Sequence, residues 1–185
     1  YPNGGYGLYG FWTAEMTDVD NDGFVDLLIG AIYHASNDEY LKGPIIFWGN
    51  GSGLYSISES SIIFEASQMD YWDMDNITYD FSVNDVDGDG LKDIIMYTYI
   101  DGDSNLYQFA KAVSDRQFED KTEQMLPNFL INNSWNHVWT IVRDIDNNGQ
   151  VDIIEGEPRL SVPWPLEWRN SVRWEWNGSS FTRIQ

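Results

Sequence analysis

The chain has 185 residues, a formal net charge of −20 at pH 7 and no cysteine. A chain of this length can bury a core of its own, and without cysteine that core cannot be held by disulfides. A surface this acidic repels nucleic acid and anionic membranes, so we expect neither as a partner. The sequence also has no apolar stretch near the ~20 residues that a membrane-spanning helix needs.

The first predicted unit starts with an alternating strand over 11–17 and continues into an acidic loop at 18–26. Aspartates stand at positions 1, 3, 5 and 9 of this nine-residue loop, and a glycine stands at position 6. These residues are Asp18, Asp20, Asp22, Asp26 and Gly23. The next three strands of the unit are predicted over 25–33, 44–48 and 62–64.

The same loop occurs twice more, at 85–93 and at 144–152. Its side-chain oxygens come from Asp85, Asp87, Asp89 and Asp93 in the second copy, and from Asp144, Asp146, Asn148 and Asp152 in the third. Strands are predicted around them over 79–83, 91–99, 106–113 and near 118, and then over 139–142, 151–155, 172–176 and 181–184. No segment has a helical period, so the fold class is predicted to be all-β.

Oxygen ligands at positions 1, 3, 5 and 9 can converge on one point if the backbone turns sharply at the glycine. Position 7 can add its backbone carbonyl, and the residues there are Phe24, Leu91 and Gln150. Flexible sites with five or more oxygens suit Ca²⁺ better than Mg²⁺. We therefore predict about three structural calcium ions, with the weakest site in the third loop because Asn148 carries no charge.

Two alternative readings of the loops remain open. They could be Asp/Gly-rich turns that bind no metal. They could also be EF-hand loops, since Glu155 stands at position 12 of the third copy, but Ile29 and Met96 at that position of the other copies cannot bind a metal. EF-hand loops also lie between helices, whereas these lie between predicted strands.

This loop between the first two strands of a four-stranded unit resembles the FG-GAP/VCBS-type repeat of calcium-binding β-propellers, known from integrin α-chains and many bacterial surface proteins. The resemblance implies blades at about 8–66, 78–125 and 137–185 in a single propeller-like domain. It also implies calcium at the aspartates of the loops. The Phe-Gly and Gly-Ala-Pro pattern that names the family is reduced here to Ile29, Gly30 and Ala31.

Three blades make an incomplete ring, because propellers close with four to eight. We expect either further blades from the same parent protein or blades supplied by copies of the chain itself. The first residue is Tyr1, which is what a processed protein or a piece of a longer one would show. Calcium sites of this open type suit a secreted or cell-surface protein, because calcium is near millimolar outside cells.

Aromatic residues make up 16 % of the chain and suggest a surface that stacks on sugar rings. We predict Trp72, Trp164 and Trp168 as the candidates, since they lie in predicted loops. Core packing is the alternative for these three. It is the favoured role for the strand residues Trp12, Trp139, Trp174 and Trp176.

The leading hypothesis is a calcium-stabilised extracellular module for binding or adhesion, with a glycan or a protein as its ligand. One alternative is a structural subunit that assembles into a filament or surface layer. The other is a fragment of a propeller-fold polysaccharide lyase or hydrolase, for which His34 and His137 are the proton carriers that can be named. No catalytic residue is assigned. The acidic cluster of Asp70, Asp73, Asp75 and Asp80 is read as a solvated loop that could bind another cation.

Overall fold

The protein is an array of three antiparallel β-sheets with almost no helix. This computed structural model describes residues 11–31, 44–63, 77–100, 104–126, 130–132, 139–144, 146–158 and 168–184. In each sheet four strands lie side by side in the order of the chain, and each of these four pairs with its neighbour in sequence. The all-β class and the incomplete propeller-like array of three four-stranded sheets are confirmed.

Sheet one contains β1 to β4. These strands are Phe11–Thr17, Asp26–Ala31, Ile45–Phe47 and Ser60–Ile62. A single 3₁₀ turn, Ile57–Glu59, leads into β4. The third and fourth strands are shorter than their counterparts in the other sheets. The third lies within the predicted 44–48, whereas the fourth begins two residues before the predicted 62–64 and overlaps it only at Ile62.

Sheet two contains β5 to β8, and a short fifth strand, β9, pairs with the start of β7. These strands are Ile77–Asn84, Asp93–Ile100, Ser104–Ser114, Gln117–Asp120 and Leu130–Asn132. The one-turn helix α1, Thr122–Met125, follows β8 and buries Met125. The sequence predicted neither β9 nor α1, since three and four residues are too few to show a period.

Sheet three contains β10 to β13. These strands are Trp139–Arg143, Asp152–Pro158, Trp168–Trp176 and Phe181–Ile184. The predicted hairpin turn at Asn177 and Gly178 is present, with Gly178 at φ 94°. Trp168 was predicted in a loop, and this placement is wrong because β12 begins at that residue. The predicted blade limits stay predictions.

Sheet two is the middle layer, and each of its faces forms a core with one neighbour. Ile94 and Met96 pack against sheet one, whereas Ile95 and Tyr97 pack against sheet three. This alternation follows from the two-residue period of a strand buried on both faces. The core with sheet one contains Val19, Leu28, Ile46, Trp48, Ile63, Phe81, Ile94, Met96 and Ala110. The core with sheet three includes Tyr107, Phe109, Ile153, Trp174, Trp176 and Phe181.

Gly30 marks the closest approach of sheets one and two. A Cβ placed on it would lie 2.5 Å from the carbonyl oxygen of Thr78 in β5. Only glycine allows β2 to pass the neighbouring backbone at this distance. Among the described residues, no helix is long and apolar enough to cross a membrane.

Candidate metal centre in three acidic loops

Each acidic loop joins the first two strands of its sheet. Carboxylate oxygens from three residues lie within 4.8 Å of one another in each loop. The three groups are Asp18, Asp20 and Asp22; Asp85, Asp87 and Asp89; and Asp144, Asp146 and Asp152. Each group could hold one metal ion, which supports the prediction that the three loops are metal sites.

The three loops share two hydrogen bonds from backbone N–H groups to the side chains of positions 1 and 5, and a left-handed glycine at position 6. The first carboxylate accepts the N–H of the position 6 glycine at 3.0, 3.0 and 2.9 Å. The position 5 side chain accepts the N–H of position 7 at 2.8, 2.9 and 2.7 Å. The glycines have φ of 89°, 89° and 87°, a region that other residues rarely adopt.

Position 4 is also left-handed in every loop, at Asn21, Gly88 and Asn147, with φ of 62°, 77° and 60°. Asparagine and glycine are the residues that tolerate this conformation best. The repeated tight bend turns the side chains of positions 1, 3 and 5 toward one another. The roles of the position 7 carbonyls of Phe24, Leu91 and Gln150 stay predictions.

The position 9 aspartates of loops one and two anchor the loop to the core. Asp26 is fully buried and accepts the N–H groups of Val19 at 2.6 Å and Gly49 at 2.7 Å. Burial raises the pKa of the Asp26 carboxyl, although these two hydrogen bonds oppose the shift. Neither Asp26 nor Asp93 belongs to the close group of its own loop.

Asp93 is held in the same way as Asp26. It is fully buried and accepts N–H groups from Val86 at 3.2 Å and Ala112 at 3.0 Å. Burial raises the pKa of Asp93 from 3.8 to about 6, against the hydrogen bond from Ala112 and the charge of Lys111. A carboxylate oxygen has two lone pairs, so both aspartates can still contribute to a metal site.

Loop three is built differently at position 9. Asp152 is buried and lies 3.2 Å from the guanidinium of Arg173, which also contacts Asp146 at 2.6 Å. Asp152, unlike Asp26 and Asp93, belongs to the close acidic group of its own loop.

Each loop has one basic side chain among its carboxylates. In loop two Lys111 lies 2.5 Å from Asp87 and 2.9 Å from Asp89, and its hydrogen bond lowers the pKa of Asp89. Lys111 and Arg173 come from the third strand of their own sheets. Their place beside the loop could have been inferred from the predicted order of the strands.

The basic residue at loop one comes from the neighbouring sheet. Arg116, at the tip of the β7–β8 hairpin, contacts Asp20 at 2.5 Å and Asp22 at 3.0 Å, and its guanidinium lies 4.9 Å from the centre of the Trp48 ring. Arg116 has φ 58°, which is uncommon for a large side chain. Nothing in the sequence indicated this contact, because Arg116 is 96 residues away from Asp20.

Two further contacts join loops one and two directly. The side-chain amide of Asn21 donates to the carbonyl of Gly90 at 3.2 Å, and the Lys92 ammonium donates to the carbonyl of Asp18. With Arg116, these contacts make the two loops a continuous polar seam along the interface between sheets one and two.

The residues present fit a hard divalent cation. Their donor atoms are carboxylate and amide oxygens, and the chain has no cysteine. One buried oxygen, Oδ1 of Asp18, accepts no hydrogen bond from any residue that the structure describes. A buried carboxylate oxygen without a donor is costly, and a bound cation would remove that cost.

The other predicted residues fall into three groups, which are core residues, other residues in strands, and residues outside the described part of the chain. Trp174 and Trp176 are in the core, as expected. Trp12 and Trp139 lie in β1 and β10. Asp80 lies in β5, where burial raises the pKa of its carboxyl, and it lines a cleft with Tyr97 and Tyr107. Outside the described residues are Trp72, Trp164, His34, His137, Asp70, Asp73 and Asp75.

Comparison with known proteins gives a family match for the middle of the chain. Residues 85–154 match the model described as an FG-GAP-like repeat. The matched segment begins at loop two and contains all of loop three. No curated protein and no solved structure matches the chain. The recognition of an FG-GAP/VCBS-type repeat, made from the loop motif, is thereby confirmed to the extent that residues 85–154 match the FG-GAP-like model.

Proposed function

We propose that this chain is a calcium-stabilised, propeller-type module that binds a ligand outside the cell. The observation that carries the proposal is the threefold acidic group, with the same backbone bends and the same hydrogen bonds in each copy. A turn that served only as a connection would not need three carboxylates directed at one point. Calcium is the proposed ion because each loop offers several oxygen ligands at flexible geometry.

The proposed role of calcium is to stabilise the fold. Eleven of the thirty acidic residues lie in the loops, and two carboxylates ~4 Å apart repel by roughly 4 kcal/mol at an effective dielectric of about 20. At a free concentration ten times the dissociation constant, each ion would add roughly 1.4 kcal/mol. Three ions would then add about 4 kcal/mol, a large part of the ~5–15 kcal/mol that stabilises a typical domain.

The proposed location is outside the cell, where calcium could fill these sites. Calcium outside cells is near millimolar, so sites with dissociation constants of ~10⁻⁴ M would be filled there and empty in the cytosol. The FG-GAP-like match agrees with a module of this kind. The proposed ligand is a glycan or a protein, and Trp72, Trp164 and Trp168 are the proposed contacts for it.

The experiment that tests the proposal is a calcium titration combined with thermal unfolding. We expect three ions per chain by native mass spectrometry and a rise of at least about 10 °C in the melting temperature when calcium replaces a chelator. The matched variants are Asp87→Asn, which removes a loop carboxylate, and Asp115→Asn, which changes an exposed carboxylate outside the loops. Asp87→Asn should bind one ion less tightly, and Asp115→Asn should bind as the unchanged chain does.

A chain that unfolds at the same temperature with calcium and with chelator would overturn the proposal. So would equal calcium binding by Asp87→Asn and the unchanged chain. Binding of the ligand is tested separately, by a glycan array probed with the calcium-loaded chain. Loss of array signal in Trp72→Ala or Trp164→Ala, with calcium binding intact, would assign the ligand site.

A further inference from the structure

A cleft lies between sheets two and three, on the face of sheet two that carries Tyr97. Its volume is about 200 Å³, and the part of its lining used below is Asp80, Ser82, Ile95, Tyr97, Tyr107 and Val142. Val142 comes from β10, and the others come from β5, β6 and β7. None of the described lining residues belongs to an acidic loop, so the cleft is separate from the proposed calcium sites.

The register of sheet two places a carboxylate beside two aromatic rings. Asp80 of β5 pairs with Tyr97 of β6, and Tyr97 pairs with Tyr107 of β7. Residues that pair directly point to the same face of a sheet, so these three side chains form one row toward sheet three. The two tyrosine rings lie 5.0 Å apart between centroids. Ser82 is two residues after Asp80 and therefore points to the same face.

A sequence difference between the repeats coincides with the cleft. Tyr97 is the fourth residue after the position 9 aspartate of loop two, and Gly30 has the equivalent place in sheet one. At Gly30 the neighbouring sheet approaches so closely that a Cβ would lie 2.5 Å from the carbonyl oxygen of Thr78. A tyrosine ring cannot allow such an approach. Sheets two and three therefore leave a space beside Tyr97 that sheets one and two close at the equivalent place.

Asp80 has no cationic partner in the part of the chain that the structure describes. Its Oδ1 accepts the N–H of Phe81 at 2.9 Å, and no described basic side chain pairs with the carboxylate. Burial raises the pKa of the Asp80 carboxyl against the hydrogen bond from Phe81, and the charge of Glu15 raises it further. A half-buried carboxylate near a second acid is costly, and a bound cation would remove that cost.

The lining of the cleft selects the kind of cation. Calcium takes about six to eight oxygen ligands, whereas Asp80 is the one carboxylate among the described lining residues. The other side-chain oxygens there are hydroxyls of serine and tyrosine, and the rest of the lining is apolar. Aromatic rings attract ammonium groups, and apolar surface suits an alkyl chain. Pockets for drug-sized ligands have ~300–1,000 Å³, so a cleft of about 200 Å³ suits a smaller ligand.

We propose that this cleft binds a primary alkylammonium group, with the ammonium at Asp80 and the alkyl chain against Tyr97 and Val142. The ammonium donates to the Asp80 carboxylate, which is a charge-assisted hydrogen bond. The Ser82 hydroxyl already accepts the side-chain amide of Asn84 at 2.7 Å and has a second lone pair for the ligand. A free alkylamine and a lysine side chain of a partner protein both carry this group. The site is additional to the proposed calcium-stabilised function.

The test is a titration of the full chain with n-butylammonium chloride in millimolar calcium, followed by the NMR shifts of backbone amides. The neutral matched probe is n-butanol. Asp80→Asn removes the charge and keeps the shape of the side chain, and Asp115→Asn makes the same change at an exposed carboxylate outside the cleft. We expect saturable shifts at Ser82, Ile95 and Val142. The dissociation constant should be at least about tenfold higher for Asp80→Asn and for n-butanol, and unchanged for Asp115→Asn.

A lysine blocked at both ends, N-acetyl-lysine methylamide, distinguishes the two sources of the ammonium group. Shifts of the same amides with this probe would assign the cleft to a lysine side chain. Binding of n-butylammonium alone would assign it to a free amine. The comparison of n-butylammonium with n-butanol uses the unchanged chain, so it decides the role of the charge even if Asp80→Asn folds poorly.

Four results would rule the proposal out. The first is the absence of saturable shifts at the cleft amides. The second is a set of shifts confined to the acidic loops, which would indicate general attraction of cations to a chain with a net charge of −20. The third is equal affinity for n-butanol and n-butylammonium, and the fourth is equal affinity in Asp80→Asn and the unchanged chain. Calcium stoichiometry tests the proposed function separately, since Asp80 lies outside the loops.

Discussion

Loops one and two are joined to each other, whereas the described contacts of loop three stay within its own sheet. Arg116, Asn21 and Lys92 link the first two loops across the sheet interface. In loop three the basic partner, Arg173, comes from β12 of the same sheet. Positions 4 and 6 are nevertheless left-handed in all three loops. The motif thus determines the shape of a site, while its surroundings determine what the site is coupled to.

The difference has a consequence for calcium. A positive charge beside the loop carboxylates would repel an incoming cation, so Arg116, Lys111 and Arg173 would each weaken the proposed calcium binding at their own loop. At loop one the charge is that of Arg116, which also links sheet two to sheet one. The proposed calcium binding there and the stability of the interface would therefore be linked, and the linkage would be reciprocal.

The largest loss of stability is expected from Asp93→Ala, which removes the position 9 anchor of loop two. The substitution leaves the buried N–H groups of Val86 and Ala112 without their acceptor. At ~1–3 kcal/mol for each unsatisfied donor, the loss should be about 2–6 kcal/mol in the free energy of unfolding. Urea denaturation in chelator measures it. Asp115→Ala, in an exposed turn, should change stability by less than ~0.5 kcal/mol, and equal losses in both variants would refute the anchoring role.

A pH titration of the metal-free chain also tests the role of Asp93. The folded state raises the pKa of Asp93 from 3.8 to about 6. Between these values the folded chain holds a proton that the unfolded chain has released, so stability should fall as pH rises from about 4 to about 6. Melting temperatures in chelator across this range measure the effect. Asp93→Asn should flatten the dependence, and an unchanged slope in that variant would assign it to other groups.

Arg116→Gln is expected to uncouple loop one from sheet two. Without calcium the chain should lose about 0.5–1 kcal/mol of stability, since partly exposed ion pairs contribute on that order. With the competing charge removed, the calcium affinity of loop one should rise roughly tenfold, or ~1.4 kcal/mol. Calorimetric titration measures the affinity. Lys121→Gln is the control, because Lys121 pairs with Glu119 and lies outside the loops. A lower affinity in Arg116→Gln would show that Arg116 assists binding.

Asn148→Asp should make loop three more like the other two. The added carboxylate increases the charge of the ligand set, so the affinity of loop three should rise by roughly tenfold or less. Competition with a fluorescent calcium chelator resolves the weakest of the three sites. If the weakest site is unchanged in this variant, the order of affinities is set by Arg173 and its surroundings.

The smallest effect is expected from Gly88→Asn. Gly88 has φ 77°, and a Cβ there would meet no atom within 4 Å. Asparagine already occupies this position in loops one and three, so the variant should gain about 0.5 kcal/mol by restricting the unfolded chain. Gly90→Ala, at φ 89°, should destabilise the chain instead. Thermal unfolding of both variants in calcium would show the opposite signs.

The sequence predicts those parts of the structure that depend on residues close together in the chain. The loops, the four-strand units and the turn at Gly178 each depend on neighbouring residues, so their patterns are visible in the sequence. The strand β9 and the helix α1 are too short for a period. Arg116 acts on a loop in another sheet, and only the packing of the sheets brings it there. Asp26 is likewise anchored by the backbone N–H of Gly49, and no side chain in the sequence indicates that contact.

In the part of the chain that the structure describes, the two cores meet at sheet two, and this bears on how the chain unfolds. Each end sheet contributes to one core, so its detachment leaves the other core intact. Loss of the middle sheet removes both. In an array of this kind, stability is nearly a sum over neighbours. Amide hydrogen exchange should therefore be slowest in β6 and β7 and faster in β4 and β13, and melting curves should broaden as the interfaces are weakened one at a time.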